Sequence, residues 1–245
     1  MDEYLKESYD FLRELNGVFS SKKTIGDFLK SLSEEQYANI EEGWGRLSKK
    51  KINRKVIVED DTLIDIYRHG SAFTVLINEI ILPFLLQKRG MVFSNEYYRI
   101  DVIGYKNGLK DDLRDEGKDL KLTPYCWEFG YAIEHENDIG KWIDEAVKLS
   151  YIKCPRKIII GYNRPISKEQ QEKSCLELNK KCFKYLLKCL EKANVPKGDN
   201  KLTLFFGVRD EKGAWDKIEY EGYVVDYSEG KVYDLLHNFQ IVPLN

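Results

Sequence analysis

Tyr4, Leu5, Tyr9, Leu12 and Leu15 recur at helical spacing, and the chain reads as helices to about residue 47. Within that stretch, SEEQ at positions 33–36 is a capping-box pattern that predicts a fresh helix start. Residues 72 to about 87 are apolar nearly throughout. They predict a buried helix, kinked or ended near Pro83 and left through Gly90, because proline has no N–H and crowds the turn before it. The pattern then changes period. YYRIDVIGY, residues 97–105, is rich in aromatic and β-branched side chains and predicts a strand, as does CWEFGYAIEHE at 126–136. Asn137 or Asp138 can cap a helix over 139–150, with Ile139, Trp142, Ile143, Ala146 and Leu149 on one face. KIIIGY at 157–162 and KLTLFFGV at 201–208 are apolar enough for strands covered on both faces. A long helix over residues 167–193 separates them. From Trp215 onward the pattern predicts strands or a hairpin, with a last helical turn around VYDLLHNF at 232–239.

Strands alternating with helices predict an α/β fold, a mixed central sheet flanked by helices and joined by right-handed crossovers. The expected organisation is an N-terminal helical segment, residues 1–60, packed on an α/β core, residues 61–245. Two segments interrupt it. KKKINRK, at 49–55, reads either as a solvated loop or as a loop that touches phosphate. Residues 106–124 form an insert of about 19 residues with little apolar content, long for a plain connection and therefore functional or mobile.

Composition narrows the function classes. With 42% hydrophobic and 33% charged residues, the chain has an ordinary globular balance. The formal net charge of -2 means that any contact with nucleic acid must come from local basic patches. The first residues carry acids and no apolar segment of the signal-peptide kind. The longest apolar run contains Glu79 and falls short of a bilayer, so a soluble, cytoplasmic protein with no membrane partner is expected. Five cysteines with no C-x-x-C pattern argue against a disulfide framework and against a zinc site. Cys175, Cys182 and Cys189 recur at helical spacing with Leu178, Leu186 and Leu190, as small core residues would.

The candidate chemistry lies in carboxylates. Glu79 is the one charge in its helix, with Val75, Leu76, Leu82 and Pro83 beside it. A carboxylate there needs a partner, which can be a salt bridge, a proton or a metal ion. Asp101 sits between isoleucine and valine in a strand, where aspartate is a poor fit unless it marks a turn, a sheet edge or a site. Strict alternation places Glu128, Gly130, Ala132, Glu134 and Glu136 on one face and Trp127, Phe129, Tyr131 and Ile133 on the other. The small residues leave room beside two glutamates that repel each other unless a cation stands between them. Hard ions such as Mg²⁺ suit carboxylate oxygens plus water. His135 points away from the glutamates if the strand is regular. His69, in a loop before Gly70, is a weak phosphate candidate, and His237 reads as structural.

A helix bearing Glu79, a strand bearing Asp101, a strand bearing Glu134-x-Glu136, then a helix and a strand: this order resembles the PD-(D/E)XK, or restriction-endonuclease-like, nuclease superfamily over residues 70–165. The departure is Glu136, which stands where the family has lysine; some restriction enzymes of the superfamily also carry glutamate there. Lys148 is a possible substitute from the following helix, but its helical phase lies nearly opposite the apolar stripe. The resemblance implies a restriction-endonuclease-like core and a Mg²⁺-dependent endodeoxyribonuclease, with Mn²⁺ as a possible replacement. Asp101 and Glu134 would hold the ion, Glu136 would bind it or orient the water, and Glu79 would serve a second ion. It further implies DNA as substrate, cleavage to a 5′-phosphate and often a homodimer. The alternative is an inactive nuclease-fold protein that binds nucleic acid or protein.

Overall fold

The computed structural model describes residues 2–21, 24–49, 58–97, 99–107, 118–120, 127–138, 141–163, 171–193, 195, 200–208 and 218–244. Most of the basic run at 49–55 and most of the insert at 106–124 lie outside these residues. The chain opens with helices α1 (Glu3–Ser21), α2 (Ile25–Lys30), α3 (Glu34–Lys49) and α4 (Leu63–Tyr67). The capping box read at Ser33 is present, with Gln36 N–H bonded to the Ser33 hydroxyl and Ser33 N–H to the Gln36 side chain.

The apolar run forms one continuous helical rod: α5 (Gly70–Leu76), a π-helical turn (Ile77–Ile81) and α6 (Leu82–Gln87). It neither ends nor breaks at Pro83. The chain widens one turn earlier instead, and Leu82 N–H reaches back five residues to the Ile77 carbonyl. Pro83 cannot return an N–H to the Glu79 carbonyl. That carbonyl faces α3, where a Cβ on Gly43 would stand 2.7 Å from it. By length and composition this rod could cross a membrane, but more than half of it is buried inside the fold.

Among the described residues eight strands form one mixed sheet in the order β1 to β8. They are β1 (Val92–Tyr97), β2 (Ile100–Asn107), β3 (Trp127–His135), β4 (Arg156–Asn163), β5 (Lys201–Val208), β6 (Tyr220–Asp226), β7 (Lys231–Asp234) and β8 (Gln240–Ile241). Only β3–β4 and β4–β5 are parallel pairs. Two helices supply those crossovers, α7 (Trp142–Ser150) and α8 (Gln171–Lys192). The sheet separates two cores. On one face Phe11, Leu12 and Leu15 of α1 share a core with the rod and with Val102, Ile133, Ile160 and Phe205. On the other, Trp142, Ala146 and Leu149 of α7 and Phe183, Leu186 and Leu190 of α8 cover Ile103, Ala132, Ile159 and Phe206.

Four local expectations change. Residues 97–105 are not one strand. The chain reverses after Tyr97, which pairs with Ile100, and Glu96 and Arg99 take φ of 56° and 64°. The alternation along β3 breaks at Gly130, because Gly104 pairs with Tyr131 and Tyr105 with Phe129. This bulge puts Glu128 and Gly130 beside Tyr131, and the space at Gly130 is taken by Met91. Gly130 therefore opens no room on the face that carries Glu134. The helix after β3 begins at Trp142 without a side-chain cap. Finally, 232–239 holds no helical turn: Val232 and Tyr233 belong to β7. Asp234 then accepts bonds from Leu236 and His237 N–H, drawing the chain into a turn.

Candidate functional site

The site lies in a notch where β3 outruns β2. The β2–β3 ladder runs up to Val102 opposite Ile133. One step further out, where Asp101 would face Glu134, a side-chain bond takes over: His135 N–H donates to Asp101 Oδ2 at 2.8 Å. On its other side β3 stays tied to β4 through Glu134–Ile159 and His135–Ile160, and Glu136 N–H bonds the Ile160 carbonyl at 2.9 Å. The strand end is thus held from one flank and open on the other. Arg99, Asp101, Glu134, His135, Glu136, Glu145 and Lys148 line a cavity of about 350 Å³ there.

Glu134 is the deepest of the acids, with its side chain 4% exposed. Burial, with Asp101 adding to it against the pull of Lys148, pushes its carboxyl up to about 8. Asp101 is also raised, chiefly by burial, while the His135 N–H works the other way. Lys148 Nζ stands 2.7 Å from Glu134 Oε1 and in closer contact with Glu145 Oε2. Both are charge contacts off the hydrogen-bonding direction, since neither oxygen meets an aligned donor. The aligned bond of Lys148 goes to the Arg99 carbonyl, 2.7 Å away. Desolvation works against the ammonium, yet the two glutamates hold its pKa above the ordinary lysine value.

A buried carboxylate oxygen without an aligned donor, beside a second carboxylate, is a set of hard ligands that fits Mg²⁺ or Mn²⁺ with water completing the shell. Only two carboxylates converge: among the described residues no group of three or more His, Cys, Asp or Glu side chains is arranged to hold a metal. Mg²⁺ commonly uses one or two protein carboxylates plus substrate phosphate, so two are sufficient.

Asp101 and Glu134 come together as expected from adjacent strands. Glu136 lines the cavity, but its Oε1 accepts Asp138 N–H at 2.6 Å and serves the turn. Glu79 is elsewhere. Its rod packs on the opposite face of the sheet, and its carboxylate lies toward Gly43 of α3. The rod meets the end of the motif through Thr74, whose hydroxyl contacts the Asn137 amide. His135 points away from the acids, with Nε2 2.5 Å from the Tyr162 hydroxyl and its ring against Phe73. His69 precedes α5 and makes no side-chain cap, and His237 pairs with Asp234 at 2.9 Å.

Sequence reasoning missed Glu145 and Arg99 and set Lys148 aside. Helical phase sets Lys148 away from the apolar stripe of α7, but its four-carbon stem carries the ammonium to Glu134. An acid three residues before a lysine, near the start of the helix that follows the motif, was the available signal. The chain matches no protein-family model, and the comparisons with curated proteins and with solved structures found no match.

Proposed function

We propose that this chain is a divalent-metal-dependent nuclease that hydrolyses DNA phosphodiester bonds, with a restriction-endonuclease-like core. The observation that carries the reading is the pairing of Asp101 and Glu134 on adjacent strands with a lysine ammonium supplied from α7. Further support comes from the order of elements over the region of resemblance: an apolar helix, the strand bearing Asp101, the strand bearing Glu134, a crossover helix and a further strand.

Asp101 and Glu134 would hold Mg²⁺, or Mn²⁺ in its place; when bound, the ion supplies Lewis-acid polarisation of the phosphate. Lys148 supplies the positive charge beside the scissile phosphate that Glu136 cannot, so the lysine of this site comes from the helix and not from the strand. Water attacks phosphorus, the P–O3′ bond breaks, and the products are a 5′-phosphate and a 3′-hydroxyl. Glu136 shapes the turn behind Glu134. In this reading the protein is cytoplasmic and works as a homodimer on duplex DNA.

A second reading, an inactive nuclease fold that binds without cutting, is favoured by Lys148 already occupying Glu134. The deciding assay is nicking of supercoiled plasmid in Mg²⁺ and in Mn²⁺. Wild type should cut, and Asp101→Asn and Glu134→Gln should each lower the rate at least a hundredfold while folding normally. Wild type that binds plasmid without nicking it in either metal would leave the binding module standing.

A further inference from the structure

The Lys148 ammonium has three partners, matching its three N–H donors. They are Glu134 Oε1 at 2.7 Å, the Arg99 carbonyl at 2.7 Å and the closer Glu145 Oε2. Only Glu134 belongs to the carboxylate pair proposed to hold a divalent ion. Glu145 lies one helical turn back on α7, and the Arg99 carbonyl belongs to the turn between β1 and β2. Two of the three anchors would therefore survive if Glu134 were given over to a metal ion. One of these two, the Arg99 carbonyl, holds the aligned hydrogen bond, whereas the contacts with both glutamates are unaligned charge contacts.

The geometry points to an exchange of cations at Glu134. Lys148 is the resident counter-ion and competes with a divalent metal for the carboxylate. Glu145 is a positioning residue that takes over the ammonium as the metal arrives. This rests on the metal reading above and assigns a function to Glu145, which that reading leaves unused. The physics is charge against charge: a fixed ammonium beside a carboxylate repels an incoming divalent ion and occupies its ligand. Held by Glu145 and Arg99, the same ammonium stays in the cavity, where a phosphate can meet it.

The test is calorimetric titration with MnCl₂ alone, without DNA, on wild type, Asp101→Asn, Lys148→Met, Glu145→Gln and the Lys148→Met/Glu145→Gln double variant. Circular dichroism checks that each folds, and Lys148→Gln replaces Lys148→Met if that variant does not. Lys148→Met should bind Mn²⁺ about tenfold more tightly than wild type while losing nicking activity, because one opposing charge is gone. Glu145→Gln should bind several-fold more weakly, because Glu134 is then the one carboxylate left to the ammonium beside the Arg99 carbonyl. The double variant should match Lys148→Met, since Glu145 acts through Lys148. A structural role for Glu145 would lower the melting temperature without this ordering.

Unchanged or weaker binding by Lys148→Met overturns the exchange, as does a double variant that stays weak, which would make Glu145 a direct attractor of the ion. If wild type binds Mn²⁺, Asp101→Asn abolishes binding and Lys148→Met changes nothing, the exchange falls and the metal site stands. If no variant takes up Mn²⁺, both fall.

Discussion

Arg89, just beyond α6, sends Nε to Glu7 Oε1 at 2.8 Å and Nη1 to Glu14 Oε2 at 2.6 Å, with the Leu85 carbonyl at 2.9 Å. Its guanidinium lies over the Phe11 ring, and the Tyr131 hydroxyl closes on Glu7 from β3. The cluster ties α1 to the rod and the sheet by charge as well as by apolar contact. Burial alone would raise Glu7 and Glu14, but the bonds from Tyr131 and Arg89 to Glu7, and from Arg89 and Lys88 to Glu14, bring both below the ordinary carboxylate value of 4.5. A carboxyl lowered in the folded state stabilises it fully above the unfolded value and loses that stabilisation as pH falls through the folded one. Glu7→Gln should therefore cost about 1–2 kcal/mol at pH 7, a figure discounted for the partial exposure of Glu7. The cost should shrink as pH drops below 4.5. Urea denaturation at pH 7, 5 and 3.5 measures it, and a gap that stays constant with pH would show that packing, not charge, is at stake. Single residues of this kind were the hardest to read from sequence. Asp101 and Glu134 were legible because an acid in a strand is anomalous. Glu79 was equally anomalous and misled, because helical periodicity shows which residues share a face but not which side of a sheet the helix will cover.

Gly43 illustrates what elements require of one another. It is buried in α3, and a Cβ there would overlap the carbonyl of Glu79, whose neighbours Ile77, Ile80 and Ile81 are buried in the rod. Alanine would gain about 1 kcal/mol of helix propensity. The overlap falls on backbone fixed in a core and should cost more, about 1–3 kcal/mol, so Gly43→Ala should destabilise the protein. Gly17→Ala in α1, where a Cβ meets nothing within 4 Å, should stabilise it by up to about 1 kcal/mol. Opposite shifts in melting temperature confirm close packing of α3 on the rod, and equal shifts refute it. Most elements of this fold announce themselves by period, as the amphipathic helices and the apolar β4 and β5 do. What escaped has a common cause. The turn after β1 is made by Glu96 and Arg99 at positive φ, without glycine or proline to mark it. The bulge at Gly130 is a property of two strands in register, invisible in either alone. The π-helical turn answers to Pro83 and to α3 together.

At the scale of the whole molecule, 39 basic and 41 acidic residues nearly cancel, so attraction to DNA depends on where unpaired charge collects. Many of the described cations are spoken for: Arg89 by Glu7 and Glu14, Lys141 by Asp138, Lys231 by Glu229. The outer face of α8 differs. Lys181, Lys184 and Lys188 are exposed at helical spacing and enter no ion pair among the described residues. They lie on the face of the sheet that also carries α7 and Lys148, with α7 and α8 sharing one core. If the proposed substrate lies across this face, these lysines meet phosphates and contribute affinity without sequence preference. Lys184→Glu/Lys188→Glu should weaken binding to duplex DNA of any sequence. It should also lower the slope of log affinity against log salt by about 2, because each neutralised phosphate contributes about 0.9. The measurement is fluorescence anisotropy of a labelled duplex from 50 to 200 mM NaCl, a range over which such contacts act strongly, in Ca²⁺ to prevent cutting. An unchanged slope would move the substrate off α8, and since the notch opens between β2 and α7, the path of the DNA would then have to run along β1 and the rim of Arg99.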